Sequence, residues 1–487
     1  MDGGSIKGQR LASTTVPTKE RVAALSRVLL IVAGLLGVTA CATLPDVEQE
    51  LAVLQPDPVD FQGTQGTVSE ASSEAILERM ELDADEPDSL AKHLAYEQEI
   101  NADSPLVLGN KLTLLQNGPA TYQAMFAAIR AARDHINMET YIFEDDETGN
   151  EFADLLLERQ AAGVQVNLIF DSFGSMFTPD TFFDRLQDGG VRVLEFNPLN
   201  PLSGQQEGWL LNNRDHRKQL IIDGRIVFTG GINISDTYYS TPLGIRAGKN
   251  SDQAPEQGAG WRDTHIQIEG PVVAEFQKLF METWVRKNAE PLTWKNYYPE
   301  LKPQGNEIVR AIGSKPGDPH SLIYMTLISA ISHAESKVHI TIAYFAPDPQ
   351  LLKALTDAAR RGVEVILVLP SYSDSWPVFH LGRSHYTELL REGVRIFERH
   401  GALMHAKTVC IDDVWSTIGS TNLDWRSFLH NDEINAVILG RDFAAQMETI
   451  LLADIKESEE ILLEKWRRRS WLLRLKEHLA MIGAYWL

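Results

Sequence analysis

Two copies of one polar signature constrain this 487-residue chain more than any other feature. His216, Lys218, Asp223 and Asn233 fall in the spacing H-x-K-x4-D-x6-G-[G/S]-x-N, and His405, Lys407, Asp412 and Asn422 repeat it. Each fixed residue matches by chance at roughly one position in twenty. One match could be accidental. A second with the same tail, Gly230-Gly231-Ile232-Asn233 against Gly419-Ser420-Thr421-Asn422, marks an internal duplication. The fold must therefore supply two similar environments, and the chain is long enough for two domains with a sizeable core each.

The flanking residues repeat as well. Residues 121–134 read as an amphipathic helix, 135–143 as a strand, 150–162 as a helix and 164–170 as a buried strand. The order returns as helix 321–335, strand 337–345, helix 350–361 and strand 363–369. Short identities mark the register, Gly163-Val164 with Gly362-Val363 and Gly190-Val191-Arg192 with Gly393-Val394-Arg395. Such alternation predicts the α/β class, with lobes at 106–300 and 305–460 and the Pro- and Gly-containing stretch 302–319 as their joint.

The net charge of −22 argues against a nucleic-acid partner, because backbone affinity is supplied by clustered Lys and Arg. Residues 42–103 hold 16 carboxylates against two basic residues. That composition predicts a largely disordered, solvated tether over 42–105. Ahead of it, Lys19, Arg21 and Arg27 precede an apolar run from Val28 to Gly37, followed by Val38-Thr39-Ala40-Cys41. A basic region, an apolar stretch and small residues make a secretory signal over 1–41, and the run is short for a span of about 20 residues. Val-Thr-Ala-Cys resembles the bacterial lipoprotein box, in which the cysteine becomes a lipidated amino terminus. The alternative is an uncleaved anchor in which Cys41 is incidental. Both readings hold the protein at a membrane with its bulk outside the cytoplasm. At the other end, 461–487, Trp466-Arg467-Arg468-Arg469-Ser470-Trp471-Leu472-Leu473-Arg474-Leu475-Lys476 reads either as an interfacial helix on anionic lipid or as a helix packed on the second lobe.

Each signature reads as a β-hairpin, with residues 216–222 as a strand, Asp223-Gly224 as the turn and 225–229 as the return. Side chains two apart on a strand share a face about 6.6 Å apart, so each histidine lies beside its lysine. Asp223 and Asp412 have the opposite parity and are expected to buttress the turn. Cys410 shares that parity and is expected in the core. An imidazole beside an ammonium suits attack on a phosphodiester: the lysine neutralises non-bridging oxygens, the asparagine adds a donor and a neutral imidazole attacks phosphorus. Two such sets supply both a nucleophile and a general acid.

The signatures, with Trp261-Arg262-Asp263-Thr264-His265, Ala343-Tyr344-Phe345-Ala346-Pro347 and the run from Gly419 through Ser427 to Asn431-Asp432-Glu433, resemble the phospholipase D superfamily, and within it the bacterial cardiolipin synthases, over about 108–455. The resemblance implies two α/β lobes packed face to face, a cleft active site, no metal or other cofactor, and phospholipid substrates at a membrane. It counts His216, Lys218, Asp223, His405, Lys407 and Asp412 in the catalytic set and Asn233 and Asn422 with the substrate. It also implies a carboxylate on each histidine, Glu433 for His405 and Asp263 for His216, with His216 as nucleophile and His405 as general acid. Phosphatidyl transfer to a second lipid alcohol, with phosphatidylglycerol giving cardiolipin, is the expected activity; transfer to water is the rival. One departure stands out, since some cardiolipin synthases begin with two transmembrane helices and this chain offers one short run. None of these features sets an oligomeric state.

Overall fold

A run such as Val365–Leu369, apolar on both faces, can only be satisfied in the middle of a covered sheet, and that is where a computed structural model places it. It describes residues 43–55, 57–81, 89–200, 212–239, 260–287, 289–318 and 321–482. Cys41, the apolar run before it and residues 484–487 lie outside the described residues.

The first lobe is built on strands β1 (Leu106–Gln116), β2 (His135–Thr140), β3 (Gln165–Asp171), β4 (Arg192–Phe196), β5 (Gln219–Ile222), β6 (Ile226–Gly230) and β7 (Thr264–Glu269). The second has β8 (Glu307–Ser314), β9 (Lys337–Ile342), β10 (Glu364–Pro370), β11 (Arg395–Arg399), β12 (Lys407–Ile411), β13 (Trp415–Gly419) and β14 (Asn431–Leu439). The first sheet runs β1-β7-β6-β5-β2-β3-β4. The second runs β8-β14-β13-β12-β9-β10-β11, with each strand in the direction of its counterpart. The duplication is thus complete strand for strand. Gly163 and Gly362, entering β3 and β10, share φ values of 92° and 95°, a left-handed conformation that a side chain would strain.

Helices Asn117–Ala131 and Glu147–Ala161 cover the outer face of the first sheet, and Leu322–His333 and Pro349–Arg360 that of the second. The inner faces meet through Ile221, Val227, Ile266 and Ile268 on one side and Ile418, Ile434, Ala436 and Ile438 on the other. β1 and β8 pair antiparallel, joining the two sheets edge to edge.

Three expectations change. The stretch 302–319 is not all joint, because Glu307–Ser314 is β8; its charged ends read as loop, although Ile308, Val309, Ala311 and Ile312 are buried. Residues 42–105 are not a largely disordered tether. Helices Val47–Val53, Glu70–Glu81 and Ser89–Ile100 form there, Phe61–Gly63 pairs in parallel with the start of β1, and Val47, Val59, Phe61 and Leu94 enter the second lobe's core. Averaging the charge hid these few apolar anchors and one carboxylate that is not solvated: Glu97 is buried against Arg310 at 2.9 Å and accepts from Trp415 Nε1 at 2.9 Å. Burial works to raise the Glu97 carboxyl, but Arg310 and His93 outweigh it and hold it below the usual carboxylate range. Finally, the signature strands begin late. His216 and Lys218 precede β5, and His405 precedes β12, because residues 214–216 and 404–405 leave their own sheet to bond the opposite lobe.

Candidate active site

Those departures assemble the site. Arg214 and Asp215 pair in parallel with Asn431 and Asp432 at the start of β14. The His216 amide donates to the Asp432 carbonyl at 2.9 Å. In the other half Met404 bridges to Arg262, and the His405 amide donates to the Arg262 carbonyl at 2.8 Å. Each histidine is therefore bonded to the residue just before the carboxylate of the other lobe.

This reverses the expected pairing. His216 Nδ1 lies 3.0 Å from both oxygens of Glu433, and His405 Nδ1 lies 2.7 Å from Asp263 Oδ2. Sequence proximity suggested that each carboxylate serves the histidine of its own lobe; the two parallel bridges between lobes carry the strands across instead. Buried arginines fix the crossing. Arg217 Nε donates to the Glu433 carbonyl at 3.1 Å and its NH1 to Thr283 Oγ1 at 2.9 Å, while Arg262 makes a two-pronged pair with Asp454 at 3.0 and 2.8 Å.

The lysines stand where strand parity put them. Lys218 Nζ donates to the His216 carbonyl at 2.6 Å, and Lys407 Nζ to the His405 carbonyl at 2.6 Å. Lys407 Nζ also lies 3.1 Å from both ring nitrogens of His405, whereas His216 Nε2 makes no hydrogen bond among the described residues. All four side chains are buried. Burial, with repulsion from Lys407, pulls Lys218 down to about 7; burial likewise pulls Lys407 down to about 8. His216 is lowered to about 4 by burial, then by Lys218 and Lys407, against the upward pull of Glu433. His405 is lowered to about 4 by burial and by Lys407. Burial would raise Glu433, but His216, Lys218 and the Ser420 hydroxyl hold it at about 2. The resting state at neutral pH is thus two neutral imidazoles, each able to donate Nδ1–H to its carboxylate, which fixes the tautomer and leaves Nε2 as the base. Two ammoniums that repel each other across one cleft make a site for a multiply oxygenated anion.

Asp223 and Asp412 do not belong with the catalytic groups. Asp223 accepts the amides of Arg133, Asp134 and His135, and Asp412 those of Glu335, Ser336 and Lys337, all within 3.1 Å. Their φ values of 52° and 51° are the left-handed turn conformation expected of them. Asn233 also departs from its expected role with substrate: Nδ2 donates to Tyr238 OH at 2.7 Å and Oδ1 accepts from the Ile142 amide at 3.2 Å, so both ends serve the loop. Asn422 is less committed, since its Oδ1 is buried without a hydrogen-bond partner. Cys410 is a buried free thiol, as its parity implied, and burial pushes it up to about 12.

Several site residues were given no role of their own from sequence. Ser420 Oγ donates to Glu433 at 2.5 Å and Asn431 Nδ2 at 3.2 Å. Tyr141 meets the His216 ring edge-on at 5.0 Å and faces Lys218 at 5.2 Å; in the other half Tyr344 lies 6.2 Å from His405. Trp261 and Tyr238 pack on His405 at 4.7 and 5.5 Å. The repeat held part of the signal: β2 and β9 are each followed within two residues by a tyrosine, Tyr141 and Tyr344. Among the described residues, no group of three or more His, Cys, Asp or Glu is placed to hold a metal ion.

The family model for "Cardiolipin synthase, PLD-like domain" matches residues 125–243 and 327–455, one segment in each lobe. Cardiolipin synthase A of Pseudomonas putida (strain GB-1) is 36% identical over 384 residues, 78% of this chain and 75% of that protein. Cardiolipin synthase A of Pseudomonas syringae pv. syringae is 37% identical over 363 residues, 73% and 71% of the two chains. The crystal structure of phosphatidylserine synthase from Haemophilus influenzae superposes with a TM-score of 0.59 at 13% identity, covering 81% of this chain and all of that one, which supports the fold.

Proposed function

Since the chain belongs to the cardiolipin synthase, phospholipase D-like family, we propose that it transfers a phosphatidyl group from phosphatidylglycerol to the hydroxyl of a second, making cardiolipin and glycerol. The observation that carries the reading is the pair of buried imidazoles, each with an ammonium beside it and a carboxylate from the opposite lobe behind it.

His216 is the nucleophile. Its Nδ1–H donates to Glu433, which leaves the Nε2 lone pair free to attack. Lys218 and Lys407 hold the non-bridging oxygens. Nε2 attacks phosphorus, the P–O bond to glycerol breaks, and His405 protonates the departing alkoxide. The anionic diester favours that proton, because its charge offsets the repulsion from Lys407 that, after burial, keeps the His405 imidazole neutral. In the second half His405 takes the proton of the incoming hydroxyl, the new P–O bond forms, and the P–N bond breaks. The hydrophobic rings of Trp261, Tyr238 and Tyr344 around His405 favour a lipid alcohol over water there. Phospholipid supply implies membrane association, and we assign the apolar run ending at Cys41 to a lipid-modified anchor that leaves the lobes outside the cytoplasm.

Purified protein with phosphatidylglycerol vesicles, products resolved by mass spectrometry, tests this. Cardiolipin plus glycerol is expected; phosphatidic acid alone would overturn it. His216→Ala and His405→Ala should each lower turnover by at least about a thousandfold.

A further inference from the structure

The geometry points to the Trp471–Met481 helix as the surface that seats the second lobe on an anionic phospholipid bilayer, beside the cleft. The substrate rests on the phosphatidyl-transfer reading; the surface rests on residues that take no part in it.

One side of this helix is fixed to the protein. Ala480 packs with Ala346, Val378 and Leu381, and Tyr344 packs against the same cluster. Glu477 is buried and held by Arg469 at 2.9 and 2.6 Å. Arg469 in turn covers Trp466 at 4.4 Å. Tyr344 links the cluster directly to His405, so the helix stands one side-chain layer behind a wall of the cleft.

The other side is apolar and uncovered. Trp471 is 70% exposed, Leu479 52% and Ile482 82%, with Leu472 and Leu475 also exposed. At 3.6 residues per turn these five positions fall within an arc of about 100°. A helix docked on a globular core turns polar residues to that side. Here the polar residues flank the arc instead: exposed Lys476 runs along one edge, exposed Arg474 and His478 along the other, and exposed Arg467 and Arg468 lie in the preceding turn. An apolar stripe bordered by cations is the pattern of a helix lying in the headgroup region of an anionic leaflet. A second copy of the chain fits less well, because it would set the same cations against themselves. The first lobe has a matching prominence. The loop after β3 exposes Phe173, Met176 and Phe177, the last 87% exposed, and Gly174 lets it close on the Tyr141 carbonyl, where a Cβ would lie 2.1 Å away. Both cleft tyrosines are thus backed by exposed apolar side chains.

The test uses the full-length chain with Cys41→Ser and Leu475→Cys, labelled at the introduced thiol with an environment-sensitive fluorophore; Cys410 is buried and stays unlabelled. Vesicles of phosphatidylcholine with phosphatidylglycerol should shift the emission to the blue, phosphatidylcholine alone should do so weakly, and high salt should reverse the difference. No shift while the protein sediments with the anionic vesicles would overturn the inference. So would a blue emission before vesicles are added, in a chain that light scattering finds dimeric. In parallel, Leu475→Glu with Leu479→Glu should lower turnover on phosphatidylglycerol vesicles at least about tenfold, with turnover on dispersed short-chain phosphatidylglycerol unchanged. Equal loss on both substrates would also overturn it. If the parent chain turns over neither substrate, the transfer reading fails while the fluorescence still decides the docking.

Discussion

Ser420 and Gly231 hold the same place in the two signatures, and that difference separates the two carboxylates. Ser420 donates to Glu433, the longer acid, whereas a Cβ at Gly231 would lie 2.3 Å from Asp263 Oδ1, so no side chain fits beside the shorter acid. The dyads are therefore alike in plan and unequal in detail, as two histidines with different tasks require. Because the pairs cross, Glu433→Gln should disturb the His216 ring and Asp263→Asn the His405 ring. Each should cost roughly a hundredfold or more in kcat, and the Nδ1 proton resonance lost in the NMR spectrum should be that of the other lobe's histidine. The titrations also set a pH profile. Lys218 and Lys407, lowered by burial to about 7 and about 8, hold the anion only while charged, so kcat/KM should fall as pH rises through that range. His216, lowered by burial to about 4, should lose nucleophilicity only in more acid solution. A plateau extending above pH 9 would contradict the assignment of the lysines to the anion.

At the scale of elements, the turn aspartates anchor the hairpins from which the site hangs. Asp223 gathers the amides that enter β2 and Asp412 those that enter β9, so each ties a signature hairpin to the strand beside it. Asp223→Ala should destabilise the fold by roughly 1–3 kcal/mol, because three amides, those of Asp134 and His135 part-buried, lose their acceptor. Turnover per folded molecule should stay within a few-fold of the parent, measured by thermal unfolding beside kinetics on the soluble fraction. This element was legible in the sequence because it depends on local geometry: the turn signal placed Asp223 and parity placed Cys410 with no long-range information, although His216 and Lys218 precede the strand. The bonds of residues 214–216 and 404–405 across the lobes were not legible, since a parallel pairing of two or three residues leaves no periodicity. The reversed carboxylates follow from that gap. The 43–105 segment was misread for a related reason: a handful of anchors such as Phe61, Leu94 and Glu97 decide its fold while many of its described residues remain exposed.

For the whole molecule, the crossing has a consequence for how such a chain can be taken apart. Neither half contains a complete histidine–carboxylate pair, and β1 and β8 share one edge, so the interface is reciprocal: what the first half gives, the second returns at the equivalent position. That is the isologous contact of a C2 homodimer, here written into a single polypeptide with residues 301–306 as the tie between protomers. Cut in that tie and co-expressed, the two fragments should find each other through the large apolar face they share and recover turnover when mixed, while each alone remains inert. Complementation of a His216→Ala first fragment by an intact second fragment should fail, because the one shared cleft needs the histidine of each half.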